Sequence, residues 1–181
     1  MNYHIISIIL SIISFLVIFL VGLLTQILRE ENRLTNPLAP FSFSRVQLWL
    51  WTLIIIPLFS LNWGFANPEE PAINETSLIL LSISGALTLT SAVIAQVHLN
   101  AKQAVKATND SKNFFYDILV DDHGQFSIGR LQNFVFTLVF AVIYISIFFN
   151  NDFKYADFQP YVYTLMGVSS GTYLFSKALH K

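Results

Sequence analysis

The chain has 181 residues, of which 54% are hydrophobic and 12% charged, and its formal net charge is −1. Soluble domains carry roughly 25% charged residues, so the composition favours a membrane protein. Nucleic-acid binding needs clustered Lys and Arg, and no basic tract stands out, which argues against a nucleic-acid partner. The chain has no cysteine, and this excludes disulfides, thiolate metal sites and cysteine nucleophiles.

Five segments are apolar enough, over about 20 residues, to cross the core of a bilayer. In chain order they are residues 5–28, 46–65, 77–99, 131–149 and 161–176. The first is too long for a secretory signal and lacks a basic start, so we expect a retained anchor. The fifth is the shortest. The pattern predicts an all-α polytopic membrane protein of about five transmembrane helices.

Lys and Arg are concentrated in the loops after the first and third spans and at the C-terminus, whereas the loop at 66–76 has three glutamates and no basic residue. The positive-inside rule then places the N-terminus outside and the C-terminus in the cytoplasm. We expect the bacterial inner membrane, with anionic lipids at the cytoplasmic face. The predicted organisation is an N-terminal transmembrane anchor and loop (1–40), a first two-helix repeat (41–99), a cytoplasmic linker with an interfacial helix (100–125), and a second two-helix repeat (126–181).

The two repeats come into register when the sequence is shifted by 85 residues. Residues 41–47 (FSFSRVQ) then fall on residues 126–132 (FSIGRLQ), and ten of 52 aligned positions are identical. Both units have the same orientation in the membrane. We therefore expect an axis near the membrane normal to relate them, as in transporters with parallel repeats.

Each repeat begins with a helix start that could bind an anion. Ser42 and Ser127 are suitable N-caps, and Arg45 and Arg130 lie in the first turns that follow. A helix N-terminus beside an arginine favours phosphate, so we expect contact with a lipid headgroup or another phosphate at both arginines. The alternative is a simple positive-inside anchor.

Two glutamines lie just inside the predicted spans, Gln47 in the first repeat and Gln132 in the second. Polar side chains at this depth usually hydrogen-bond to neighbouring helices. We expect interhelical contacts, in preference to contacts with a substrate.

The motif F-S-x-x-R-x-Q, followed by an aromatic-rich span and then G-V-S-S-G-T-Y-L at residues 167–174, resembles a family of bacterial multi-pass membrane proteins. The resemblance covers roughly residues 40–176 and rests mainly on the second repeat. That family is uncharacterised, so the resemblance implies no activity.

The segment Gly167-Val168-Ser169-Ser170-Gly171 matches the nucleophile-elbow pattern G-x-S-x-G. A nucleophilic serine needs a base within hydrogen-bond reach, and none of the four histidines reaches Ser169 in the predicted topology. We therefore predict no enzyme activity. We interpret Gly167, Ser169, Ser170 and Gly171 as small residues at a helix-packing surface.

Hydroxyl groups form a stripe along the third span, at Ser77, Ser84, Thr88 and Ser91. The stripe could line a wet pore or allow helices to pack closely. The spans contain no Asp, Glu, Lys or Arg, which disfavours an ion-coupled transporter.

The residues before the second repeat include the acidic cluster Asp117, Asp121, Asp122 and His123. Its spacing matches no EF-hand loop or two-histidine helix, so we predict no metal and no cofactor. An apolar face made by Phe114, Phe115, Ile118 and Leu119 predicts a helix lying in the membrane interface.

Two functions remain open from the sequence. The first is a homo-oligomeric pore or poorly selective channel, lined by the hydroxyl stripe and ringed by Arg45 and Arg130. The second is a non-conducting anchor or regulatory partner of a soluble protein, as in a phage-defence-type system, acting through the two cytoplasmic loops.

Overall fold

The computed structural model describes residues 3–30, 38–100, 110–121 and 124–179. This part of the chain contains six α-helices and no strand longer than an isolated bridge. In chain order the helices are α1 (Tyr3–Leu24), α2 (Phe43–Phe65), α3 (Glu75–Asn100), α4 (Phe114–Leu119), α5 (Ile128–Asn150) and α6 (Pro160–Leu179). The predicted all-α fold is confirmed.

Four of the helices, α1, α2, α3 and α5, are long and apolar enough to cross a membrane. The protein is therefore a polytopic, membrane-embedded helical protein. Helix α6 contains the predicted fifth span, but within the described residues it is not among these four. It is the least apolar of the long helices, because its serines, threonines, glycines and Lys177 dilute the aliphatic residues.

The starts of α2 and α5 use serine in different ways. Ser127 has the extended backbone of an N-cap, and its hydroxyl accepts a hydrogen bond from the Arg130 amide at 3.4 Å. Ser42 has the same backbone conformation, but its side chain makes no capping bond. The Ser42 hydroxyl lies 3.3 Å from the Ser44 hydroxyl instead. Both copies of the F-S-x-x-R-x-Q motif therefore begin a helix, but only Ser127 makes a capping hydrogen bond with its side chain.

Helix α1 packs antiparallel along α2 through small residues. Its buried residues are Ser7, Ser11 and Gly22. On the other side of the contact, a Cβ atom added at Gly64 would lie 2.0 Å from Ser7 Oγ. The Trp49 indole donates to the carbonyl of Ile18 in α1 at 2.9 Å. The large aliphatic side chains of α1 point outward, as expected of a helix whose outer face meets lipid.

Helices α2, α3, α5 and α6 form the core. One apolar cluster lies between them, and the turn after α5 contributes to it through Ala156; its buried residues are Trp51, Ile54, Ile55, Leu58, Leu80, Ala141, Tyr144, Phe148, Ala156 and Met166. Helices α3 and α6 run in the same direction, because Thr76 contacts Tyr163 and Ser91 contacts Tyr173. We call the end at which α2 and α5 begin the arginine-bearing end, since it holds Arg29, Arg45 and Arg130.

Candidate functional site

The segments that precede α2 and α5 lie against the starts of these helices at the arginine-bearing end. We call them together the two-loop platform, which consists of residues 25–30, 38–42, 110–121 and 124–127. Each segment is closed by an isolated antiparallel bridge, Arg29 with Phe41 and Val120 with Phe126. The residue after each bridge, Ser42 or Ser127, then donates its backbone N–H back across the segment. The described parts of the two loops therefore share one pairing, an isolated bridge followed by a backbone hydrogen bond from a serine.

The Asp117 carboxylate joins the two loops. Asp117 is 2% exposed, and its Oδ2 accepts from the Phe41 amide at 3.1 Å and from the Ser111 hydroxyl at 2.6 Å. Its Oδ1 accepts from the Lys112 amide at 3.3 Å. A second link runs from the Ser111 amide to the Leu38 carbonyl at 2.7 Å. Because a buried carboxylate needs several donors, these contacts fix one loop against the other.

Helix α4 packs on the bundle with part of its apolar face. Ile118 is fully buried in a second core cluster, and Phe114 and Leu119 pack against that cluster. The other buried members of the cluster are Leu28, Phe43, Val46, Leu87 and Tyr173. Phe115 is 63% exposed. Most of the face that predicted an interfacial helix thus contacts protein, and Phe115 alone points away from it.

A polar hollow of about 460 Å³ opens on the platform. Both loops contribute to it, the first through Pro40 and the second through residues between Asp110 and Asp121 and through Gly124. Among the described residues, its charged lining consists of Asp110, Lys112, Asp117 and Asp121. The hollow is therefore concave and predominantly acidic, and it suits a basic side chain better than a phosphate.

Of the three arginines that the structure describes, two make similar contacts and the third does not. Arg130 is 2% exposed; its guanidinium donates to the Val120 carbonyl and lies 4.8 Å from the centre of the Tyr173 ring. Arg29 makes a similar pair of contacts, with the Ala39 carbonyl at 2.5 Å and the Phe41 ring at 4.6 Å. Arg45 instead lines a groove between helices. The arginines at 45 and 130, which the repeat makes equivalent, are thus not equivalent in their contacts.

Polar contacts between helices centre on Asn133 rather than on the second glutamine. Gln47 is buried, and its amide donates to Asn133 Oδ1 at 3.4 Å. The Asn133 amide donates in turn to the Ser170 hydroxyl of α6 at 3.2 Å. Gln132 is exposed. This chain of bonds links α2, α5 and α6, and the sequence reasoning missed its central residue.

The hydroxyl stripe of α3 lies inside a single chain. Ser77, Ser84 and Ser91 are buried. The Ser77 hydroxyl lies 2.6 Å from the Tyr144 hydroxyl of α5, and the Thr88 hydroxyl donates to the Ser44 carbonyl of α2 at 3.0 Å.

The far end of the stripe carries a buried cation. The Ser91 hydroxyl lies 3.1 Å from the Tyr173 hydroxyl and accepts from the Lys177 ammonium group at 2.8 Å. Lys177 is buried as well. The stripe therefore joins α3 to α2, α5 and α6 within the chain.

The small residues of α6 divide into two pairs. Ser169 and Ser170 are buried, and the Ser169 hydroxyl donates to the Leu165 carbonyl at 2.9 Å. Gly167 and Gly171 are exposed, and a Cβ atom added at either would meet no atom within 4 Å. Within one chain the serines pack between helices, whereas the two glycines make no close helix contact.

Several buried polar atoms have no hydrogen-bond partner in the part of the chain that the structure describes. Within the core they include Gln47 Oε1, Thr137 Oγ1 and Trp51 Nε1. Asn133 and Thr137 are one helical turn apart on α5, so the Gln47 and Thr137 atoms flank the same polar chain. At the opposite end of the bundle, burial raises the pKa of the Tyr155 phenol above its ordinary value.

Among the described residues, no group of three or more His, Cys, Asp or Glu side chains could hold a metal ion. Asp122 and His123, the other members of the predicted acidic cluster, lie outside the described residues.

The fold and these contacts define a polytopic all-α membrane protein with polar side chains between its helices and a two-loop platform at one end. Comparison with protein-family models, with curated proteins and with solved structures gave no significant match.

Proposed function

We propose that the protein is a membrane anchor or regulatory partner that binds a soluble protein through the two-loop platform. One observation carries this proposal. The Asp117 carboxylate accepts from the Phe41 amide, 76 residues away in sequence, and thereby joins the two loops into a single surface at the end of the bundle. A helical protein that only crossed the membrane would need no such link.

The hollow on the platform indicates the chemistry of the partner. Asp110 and Asp121 line it beside the Asp117 carboxylate, and Lys112 is the one cation among these charged residues. Charge complementarity guides specific association. The expected ligand is therefore a basic segment of a soluble protein.

The distribution of Lys and Arg supports the finer localisation within this proposal. We place the protein in a bacterial inner membrane, with the N-terminus outside and the platform in the cytoplasm. Anionic lipids at that face would be the second partner. No catalytic step is part of the proposal.

Photo-crosslinking in cells tests the platform. A crosslinking amino acid is placed at Lys112, which is exposed at the hollow, or at Lys154, which is exposed at the opposite end of the bundle. We expect a defined adduct with a soluble protein at position 112 only, with the crosslinked peptide rich in Lys or Arg. The charge reversals Asp110→Lys and Asp121→Lys, made together, should reduce that adduct several-fold.

Two results would contradict the proposal. One is an adduct of equal yield at position 154; the other is an adduct at 112 that the double reversal leaves unchanged in a folded variant. Either result would show that the acidic hollow does not select the partner.

The second candidate is a homo-oligomeric pore or poorly selective channel, and the unpartnered Gln47 and Thr137 atoms favour it because they could be hydrated. Since the stripe of Ser77, Ser84 and Ser91 is buried within one chain, such a pore would run through each bundle and not between copies.

Dye and ion efflux from liposomes tests the second candidate. Thr137→Val removes the buried hydroxyl with little change in volume, and Thr172→Val does the same at an exposed position of α6. Flux that only Thr137→Val lowers, at unchanged assembly size, would favour the pore. A folded parent protein without flux would favour the anchor.

A further inference from the structure

We infer that the groove between α1, α2 and α3 binds one anionic phospholipid, with its phosphate at Arg45 and an acyl chain along the apolar wall. The groove has a volume of about 480 Å³ and opens beside the start of α2. This inference rests on the membrane-embedded fold and on the anionic lipids proposed above as the second partner, and it does not depend on the platform binding a soluble protein.

The walls of the groove are almost entirely aliphatic or aromatic. Helix α1 contributes Val17, Ile18 and Val21, and α2 contributes Leu48 and Trp49. Val17 and Val21 are about half exposed, so the groove is open to the side, where a lipid would enter from the bilayer. Arg45 and Thr52 lie seven residues apart on α2, so the α2 wall extends about 10 Å along the helix axis.

Arg45 supplies the only charge among the described lining residues of the groove. Arg45 is half-buried as a residue, and its guanidinium donates to the Ile27 carbonyl at 3.4 Å. A guanidinium beside an apolar surface favours a phosphate, which it can bind through two N–H groups. The apolar walls of the groove suit an acyl chain, and Arg45 at one end suits the phosphate. Together they match the two parts of a phospholipid.

The other two described arginines of this end have different surroundings. Arg130 is buried, and its guanidinium donates to the Val120 carbonyl beside the Tyr173 ring. Arg29 lines a second apolar groove, of about 420 Å³, but its guanidinium donates to the Ala39 carbonyl and lies over the Phe41 ring. The duplicated motif predicts a phosphate contact at both Arg45 and Arg130, but only Arg45 is combined with an apolar groove.

Lipid retention by the purified full-length chain tests the inference. Native mass spectrometry would compare phosphatidylglycerol with diacylglycerol, which has the same acyl chains and no phosphate. The parent protein should retain phosphatidylglycerol preferentially. Arg45→Gln should reduce that preference roughly tenfold, as expected for the loss of a charge-assisted contact. The exposed Lys154→Gln, which removes one positive charge at the opposite end, should leave it unchanged.

A second variant separates the groove from the charge. Val21→Trp fills the groove and keeps Arg45, so it should reduce retention of both lipids. If Arg45→Gln misfolds, Arg45→Lys keeps the positive charge and should keep the preference for phosphatidylglycerol.

Three outcomes would overturn the inference. They are equal retention of the two lipids by the parent, unchanged retention in both Arg45→Gln and Val21→Trp, and displacement of phosphatidylglycerol by inorganic phosphate at equal concentration. The last would show an anion site without an acyl-chain groove. None of these results bears on crosslinking at the platform, so the two proposals can fail separately.

Discussion

Asp117 is a negative charge held almost completely out of contact with solvent, with donors from three other residues. Removing a carboxylate from water is costly unless its oxygens are hydrogen-bonded. Here two backbone amides and a hydroxyl meet that need, and they come from both loops of the platform. Because the buried carboxylate needs these hydrogen bonds, Asp117 holds the two distant segments in a fixed arrangement.

Asp117→Asn should weaken the platform, because the amide is neutral and its NH₂ group cannot accept the bonds made to a carboxylate oxygen. Hydrogen bonds to charged groups contribute about 1.5–3 kcal/mol each. We expect the free energy of unfolding in detergent to fall by roughly that amount. Asp110→Asn, at an exposed position of the same segment, is the matched control. Equal stability of both variants would mean that Asp117 does not hold the loops together.

The sequence could reveal some of these residues and not others. Ser127 was predicted as an N-cap because the cap bond is local, and it caps α5. The sequence places Asp117 in an acidic cluster and does not reveal its link to the first loop, since the Phe41 amide lies 76 residues away and no local pattern shows that pairing. Its position beside the apolar residues Phe114 and Ile118 is the available signal, because a carboxylate that is buried with apolar neighbours requires hydrogen-bond partners.

At the scale of helices, the pairing of α1 with α2 depends on side chains small enough to let the backbones approach. Gly64 faces Ser7, and Gly22 faces the indole of Trp49. In lipid, the hydrophobic effect does not drive helices together. Their association depends on van der Waals packing, and close approach of the backbones improves that packing.

Gly64→Ala should loosen the contact between α1 and α2, since the new methyl group would lie 2.0 Å from Ser7 Oγ and 3.0 Å from the Tyr3 carbonyl. Overpacking of this kind costs typically about 1–3 kcal/mol. The control is Gly85→Ala in α3, where a Cβ atom meets nothing within 4 Å. Thermal unfolding in detergent measures both. Because Ala is a better helix former than Gly, the control should keep its stability or gain slightly. A similar loss of stability in the control would show that the loss in Gly64→Ala does not come from packing against α1.

Hydropathy predicted the positions of the long helices because each is a local property of about 20 residues. It did not predict how the polar residues of those helices are arranged. Gln132 and Asn133 are adjacent, yet Asn133 is buried and Gln132 exposed. Which of two neighbouring polar residues faces the core depends on the rotation of α5 about its axis, and packing against α2 and α6 determines that rotation.

At the scale of the whole molecule, the arginine-bearing end and the opposite end differ in their charged residues. The basic residues of the first end lie on the platform and at helix ends, while the turn after α2 carries Glu69 and Glu70. The positive-inside rule assigns orientation from this difference in basic residues between the two ends, and the proposed orientation depends on it.

Labelling of single cysteines tests that orientation, and the absence of native cysteine makes the background clean. Leu38→Cys and Asp110→Cys report on the platform, and Glu70→Cys and Lys154→Cys on the opposite end; all four positions are exposed. In intact spheroplasts an impermeant maleimide should label positions 70 and 154 only. Permeabilisation should then expose positions 38 and 110. The reverse pattern would place the platform outside.

The link through Asp117 also has a consequence for how the chain is made. Translation proceeds from the N-terminus, so the Phe41 amide cannot reach its carboxylate acceptor until a further 76 residues have been added. At ordinary rates of synthesis this interval is roughly 4–15 s. During it, α1, α2 and α3 can enter the membrane, but the platform cannot close. The platform can therefore form only after the second half of the chain has been synthesised. A truncated product that ends after α3 would lack the surface proposed to bind the partner.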